Sequence, residues 1–279
     1  MIIMPADTKE TATKAYKGLV SLEKPVHVWT PDGGYNAPRH IAEAKSPASM
    51  DLPETIIYMK SQSPKQRPLT SGEWHQVREA LNTANPEIEE NMITGAYERT
   101  STLVDFDHGL VIQIPDADEE GNLIADEKGI IKGRHTWEMA LPSKAGYVGQ
   151  MPDDMAKFFN TIYGMEDAAS QLPDYAYFFI DENPKGARNL LRGGWHYVGR
   201  EDGRVGVVGG WRPSDSGGGV ASRGAADSAR LVNRLNDAEY AAPVERLLQE
   251  LKQAQPEQAA DIIEKINIKM KGALVWEEI

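Results

Sequence analysis

Read for the spacing of apolar side chains, the chain changes period several times, which marks mixed α and β structure. Residues 26–30 (VHVWT) alternate as a strand does, and 55–60 (TIIYMK), 134–140 (RHTWEMA) and 175–181 (YAYFFID) read as further strands. TLVDF and LVIQI flank Asp107-His108-Gly109, while NLIA and IIKG flank Asp126-Glu127-Lys128-Gly129. Apolar runs joined by such turn residues predict antiparallel pairing across 101–140. WHYVG and RVGVV, on either side of Arg200-Glu201-Asp202-Gly203, predict another hairpin.

Helical spacing appears elsewhere. Trp74, Val77 and Leu81 share one face, and Thr70 and Glu73 before them have the spacing of a capping box. Pro86 opens a short helix into Met92. Met155, Phe158, Phe159 and Ile162 form a stripe after Pro152-Asp153-Asp154, acids that suit a first turn. Three stripes follow near the end: Ala225, Ser228, Leu231, Val232, Leu235; then Val244, Leu247, Leu248, Leu251; then Ala259, Ile262, Ile263, Ile266. The closing ALVW reads as a short strand. Residues 31–50, 61–69 and 212–224 read as long polar loops, unusual in a compact domain. The expected fold is α+β: a mixed, largely antiparallel β body with interspersed helices and a C-terminal segment of about three helices. Residues 1–222 form the body and 223–279 the helical segment, packed on the body.

Composition narrows the chemistry. The 279 residues contain no cysteine, which excludes disulfides, thiolate metal sites and thiol nucleophiles. The start, MIIMPADTKETATK, has no secretory pattern, and no run approaches the ~20 apolar residues of a membrane span. A cytoplasmic location, or one within a particle assembled in the cytoplasm, is expected. The net charge of -12 repels nucleic acid and anionic lipid on average.

That average hides a contrast. Between 184 and 234 the chain holds eight of its fourteen arginines and a net charge of +5, against -13 before the segment and -4 after it. Arg188, Arg192, Arg200, Arg204, Arg212 and Arg223, interleaved with Trp195, Trp211 and glycine, form a candidate anion, nucleic-acid or protein interface. Guanidinium forks bind phosphate and carboxylate, and exposed rings stack on bases. Gly219 and Gly224 have P-loop spacing, but Ala225 stands where the motif needs lysine.

Other constellations are weaker. Asp105, Asp107 and His108 could hold a divalent metal that activates water, with His135 and Glu138 adding ligands from a nearby strand. The same letters also fit a hairpin turn. Asp215-Ser216-Gly217-Gly218 resembles the surroundings of a serine-protease nucleophile, but no histidine has a matching setting, and a flexible loop explains it better. The remaining histidines, His27, His40, His75 and His196, read as structural, and Asp116–Glu120 as a solvated turn.

No catalytic set emerges and no cofactor is implied. The expected function is a non-enzymatic structural or interaction protein, an assembly subunit or virion component. It would contact copies of itself or other proteins through loops, the Arg/Gly-rich segment and the C-terminal helices. A nucleic-acid or phosphate-ligand binder using 184–234, and a metal-dependent hydrolase at Asp105, Asp107 and His108, are the alternatives.

Overall fold

Short elements come first along the chain: strands β1 (Leu19–Ser21), β2 (His27–Val28), β3 (Tyr35–Asn36) and β4 (His40–Lys45). The computed structural model describes residues 18–94, 97–142, 146–148, 153–171, 176–180, 183–194, 205–217, 219–227, 230–233, 238–272 and 274–277. Helix α1 (Leu52–Lys60), strand β5 (Arg67–Pro68), helix α2 (Ser71–Ala84) and helix α3 (Pro86–Thr94) follow. Strands β6 (Glu98–Asp105), β7 (Leu110–Pro115), β8 (Gly133–Glu138) and β9 (Gly146–Val148) precede helices α4 (Ala156–Tyr163) and α5 (Ala168–Gln171). Then come β10 (Ala176–Phe179), β11 (Ala187–Gly194), β12 (Val205–Trp211), β13 (Arg223–Ala226) and β14 (Arg230–Asn233). Helices α6 (Ala238–Gln253) and α7 (Pro256–Gly272) and strand β15 (Leu274–Glu277) end the chain.

The architecture is the expected α+β class. One sheet has seven strands in the order β8-β7-β6-β11-β12-β10-β9, antiparallel except where β10 runs parallel to β12. A second has the order β1-β4-β13-β5 and is antiparallel throughout. The chain divides into a unit of residues 1–227 and a unit of residues 228–279.

At β6 and β7 both faces of the larger sheet are covered, because successive side chains point to opposite sides. Leu103 and Ile112 meet Leu52 and Ile56 of α1. Their neighbours Val104 and Val111 turn the other way, toward Phe158, Phe159 and Ile162 of α4. The stripe Trp74, Val77 and Leu81 of α2 packs against Val28, Ile41, Leu69 and Ala225. Each such side chain, fully buried, contributes roughly 1.5–3 kcal/mol. Helices α2 and α4 meet at two glycines. A Cβ on Gly72 would stand 3.0 Å from the Cα of Gly164, which itself closes α4 in the left-handed conformation. That contact lets Ser71 Oγ donate to the Ile162 carbonyl at 2.8 Å.

The predicted helix at Thr70 forms with its capping box intact. Its neighbour in sequence corrects an expectation: TIIYMK is helical, not a strand. Asp51 caps α1 and Glu54 returns the bond to the Asp51 N–H, with a proline in the first turn. These start signals and burial of Leu52, Ile56 and Met59 outweigh the β-branched run.

Within the stripe from Ala225 to Leu235 the described residues 225–226 and 230–233 are strand, not helix, and Ser228 and Leu235 lie outside the described residues, so among the described residues the C-terminal helices are a pair rather than three. Ala225 pairs with Ile41 on one side and Arg67 on the other, and small Gly224, Ala225 and Ala226 fit between two strands. Residues 230–233 instead pair with Leu274–Glu277, the strand that ALVW predicts. The expected loop 31–50 contains β3 and β4, and β11 spans ARNLLRGG, which shows no simple alternation. Helix α6 starts before Pro243, which lies inside it. WHYVG falls outside the described residues, although the strands around it, β11 and β12, do pair antiparallel.

Candidate functional site

The Asp105, Asp107 and His108 cluster is a turn between β6 and β7. Asp105 Oδ1 accepts the N–H groups of Asp107 at 3.0 Å and His108 at 3.3 Å. Its Oδ2 meets His108 Nδ1 at 2.8 Å. The carboxylate therefore closes the hairpin with both oxygens. His135 instead stacks on Trp137 and Tyr35. Among the described residues no group of three or more acids and histidines could hold a metal ion. Asp215 is also a turn residue: its Oδ2 accepts the Arg212 N–H at 2.7 Å, and its N–H donates to the Arg212 carbonyl.

The arginine segment divides in two. Arg192 and Arg223 are buried, at 0% and 1% exposure, so a phosphate backbone cannot reach them in the folded chain. Arg188 and Trp211 are half-buried, and Arg212 is exposed. Trp195, Arg200 and Arg204 lie outside the described residues.

What holds the buried Arg223 is a polar core centred on β6, which also contains Arg99. Every residue of that strand is buried although most are polar, and each polar side chain has a partner. Glu98 accepts from Trp74 Nε1 at 2.8 Å and from Arg223 Nη2 at 3.2 Å, and pairs with Lys45 Nζ at 3.1 Å. Arg223 also donates to the carbonyls of Ala42 and Glu43 and to Asn91 Oδ1. Arg99 donates to Asn189 Oδ1 and the Asp215 carbonyl, both at 2.7 Å. Thr100, Ser101 and Thr102 bond the Leu190 carbonyl, the Pro68 carbonyl and the Ser71 N–H.

A second cluster lies at the start of α2. Arg67 forks onto Glu73 with two bonds of 2.7 Å and also contacts Asp227. Burial alone would lower the Arg67 pKa, but Glu73 and Asp227 together raise it. Burial pushes the Tyr35 phenol well above its ordinary range, and Glu73 adds to that. Its hydroxyl lies 3.1 Å from Thr70 Oγ1 and 3.5 Å from Gln113 Oε1. Glu73, Glu98, Arg67 and Arg99 have no motif signature. Only the capping-box spacing singles out Glu73, and it does not identify Arg67 as its partner.

Arg192 lies with its guanidinium carbon 4.5 Å from the Tyr163 ring centre and 5.2 Å from that of Trp74. Its Nη2 is 3.0 Å from His75 Nδ1. Arginine can only donate, so His75 accepts at Nδ1 and is neutral, with its proton on Nε2. Burial, then Arg192 and Arg78, hold the His75 pKa well below its ordinary value. The unfolded chain takes up this proton near pH 6.5 and the folded chain does not until lower. The stability this gives is complete above about pH 6.5 and falls below it, with a slope approaching ~1.4 kcal/mol per pH unit. Urea denaturation at about pH 7.5, 6.5 and 5.5 should show this slope reduced by about one proton in His75→Asn, which keeps an acceptor but cannot charge. Equal slopes in the two proteins would contradict the assignment.

The surface carries two further features. Strand β8 is the last in its sheet. Its Arg134, Thr136 and Glu138 are exposed, while His135 and Trp137 are half-buried on the other face. Tyr35, His135 and Trp137 stack in series, with centroid separations of 5.2 and 5.6 Å. In the C-terminal unit, Leu248, Ile263, Ile268 and Met270 of α6 and α7 are exposed, between 42% and 60%. Among the described residues, no helix is long and apolar enough to cross a membrane.

Chemically, the described acids of the interior are matched to arginine, lysine or turn amides, whereas the surface offers a strand edge and exposed apolar side chains on the two C-terminal helices. Comparison with family models, curated proteins and solved structures finds no match to any of them.

Proposed function

We propose that the chain is a non-enzymatic assembly subunit that works by protein–protein contact. The observation that carries this reading is the incompletely covered helix pair. Val244 and Ile266 of α6 and α7 are buried, yet Leu248, Ile263, Ile268 and Met270 stay open to solvent. Four large apolar residues left exposed on this helix pair support a contact surface there. The use of Glu98, Arg99, Arg192 and Arg223 as internal fastening supports the same reading, because it leaves the polar core fixing the fold. A cytoplasmic protein, or a component of a particle assembled there, fits this role.

The reading predicts concentration-dependent self-association. Light scattering on the full chain, from a few micromolar to several hundred, should give masses rising above the 30.8 kDa of one chain. Ile263→Glu with Ile268→Glu should weaken the association at least tenfold, since burying carboxylates in a contact is costly. A mass of one chain at every concentration would overturn self-assembly.

A further inference from the structure

The edge of β8 has a pattern that is complementary to itself. The strand bonds to β7 along one side, with Val111 opposite Trp137 and Gln113 opposite His135. Its other side has no strand neighbour among the described residues. The Met139 N–H donates to the Gly109 carbonyl at 2.9 Å. Antiparallel alternation from that bond turns the main-chain groups of His135 and Trp137 toward β7. Those of Arg134, Thr136 and Glu138 consequently face outward, on the residues that are exposed. Such an edge is a template for another strand.

We infer that β8 pairs with β8 of a second copy, antiparallel, about a two-fold axis at Thr136. This rests on the reading of the chain as an assembly subunit and names its partner and register. With Thr136 opposite Thr136, Arg134 of each copy lies opposite Glu138 of the other, on the same face. His135 of each copy lies opposite Trp137 of the other on the reverse face, extending the aromatic stack. The outward groups supply about six main-chain hydrogen bonds. Shifting the register by two residues removes both charge pairs, and a parallel arrangement brings like charges together. An isologous contact of this kind joins two seven-stranded sheets into one. Exposed ion pairs add little affinity, so the charges select register and partner while the main chain binds.

The test is a charge swap in the full chain, read by sedimentation velocity at fixed moderate salt. Arg134→Glu and Glu138→Arg alone each place like charges across the axis twice and should weaken dimerisation about tenfold. The double variant R134E/E138R restores both pairs and should return to within about threefold of the original. The double variant also loses the 3.5 Å Arg134–Asp227 contact, so its recovery isolates the new pairing. Thr136→Pro, which removes an outward N–H and leaves the β7 bonds, should abolish the dimer. Association unchanged in all four variants overturns the β8 contact while leaving assembly through the helices standing. Failure of the double variant to recover overturns the register. A one-chain mass for the unmodified protein overturns both the contact and the assembly reading.

Discussion

Replacing Glu98 with alanine should destabilise the N-terminal unit by about 3–5 kcal/mol, a large part of the 5–15 kcal/mol typical of a whole domain. The carboxylate is fully buried and meets Trp74, Lys45 and Arg223. Removing it leaves the Arg223 guanidinium buried with neutral acceptors only, those of Ala42, Glu43 and Asn91. An uncompensated charge in that position is the costly product, more than the loss of any single bond. Glu98→Gln keeps the shape and an acceptor for Trp74 and should lose less. Trp74→Phe removes the indole bond, worth about 1.5–3 kcal/mol when the acceptor is charged, together with buried volume beside Arg192. Denaturant unfolding should show a larger loss for Glu98→Ala than for Glu98→Gln. A loss below about 1 kcal/mol for Glu98→Ala would show that the polar core does not hold the sheets together.

Glu73→Ala should cost about 3–5 kcal/mol for a related reason. One side chain caps α2 through the Thr70 N–H at 2.7 Å and neutralises Arg67 through both oxygens. The change therefore breaks the capping box, about 1 kcal/mol by itself, and a buried ion pair. Asp227 remains as a partner for Arg67, but it is 41% exposed and water screens it. Asp227→Ala should accordingly cost under about 1 kcal/mol, and the contrast between the two variants is the diagnostic. Comparable losses from both would contradict the assignment of Glu73 as the main counter-charge, and chemical denaturation distinguishes the cases.

These two residues also show where the sequence is legible. Thr70 and Glu73 stand three apart and announce a helix start, because capping is a local interaction. The role of Glu98 is invisible in the chain, because Arg223 is 125 residues away and Trp74 is 24 away. Strand β6 breaks the usual pattern altogether. Its first five residues, Glu98 to Thr102, are polar, yet the strand is buried on both faces. Alternation finds strands with one wet face, and this strand has none.

The basic segment misleads in a similar way. Charge along the chain is plain to read, but whether a guanidinium reaches solvent depends on strand order. Arg192 and Arg223 fall on interior strands and Arg212 beyond the end of one. The Ala225–Leu235 stripe fails because Ala225 is held between β4 and β5 by pairings that no local window contains. Strand β8 is the opposite case. Its alternation is legible, but only the sheet order makes it an edge, and only an edge can recruit another strand.

The most direct test of the assembly account is residue-resolved hydrogen exchange of the β8 amides as protein concentration rises. The account predicts that the N–H groups of Arg134, Thr136 and Glu138 exchange quickly in dilute solution. They should become protected as dimers form, while those of His135 and Trp137, bonded to β7, are protected throughout. Fast exchange at Arg134, Thr136 and Glu138 in solutions where the dimer is fully populated would contradict it.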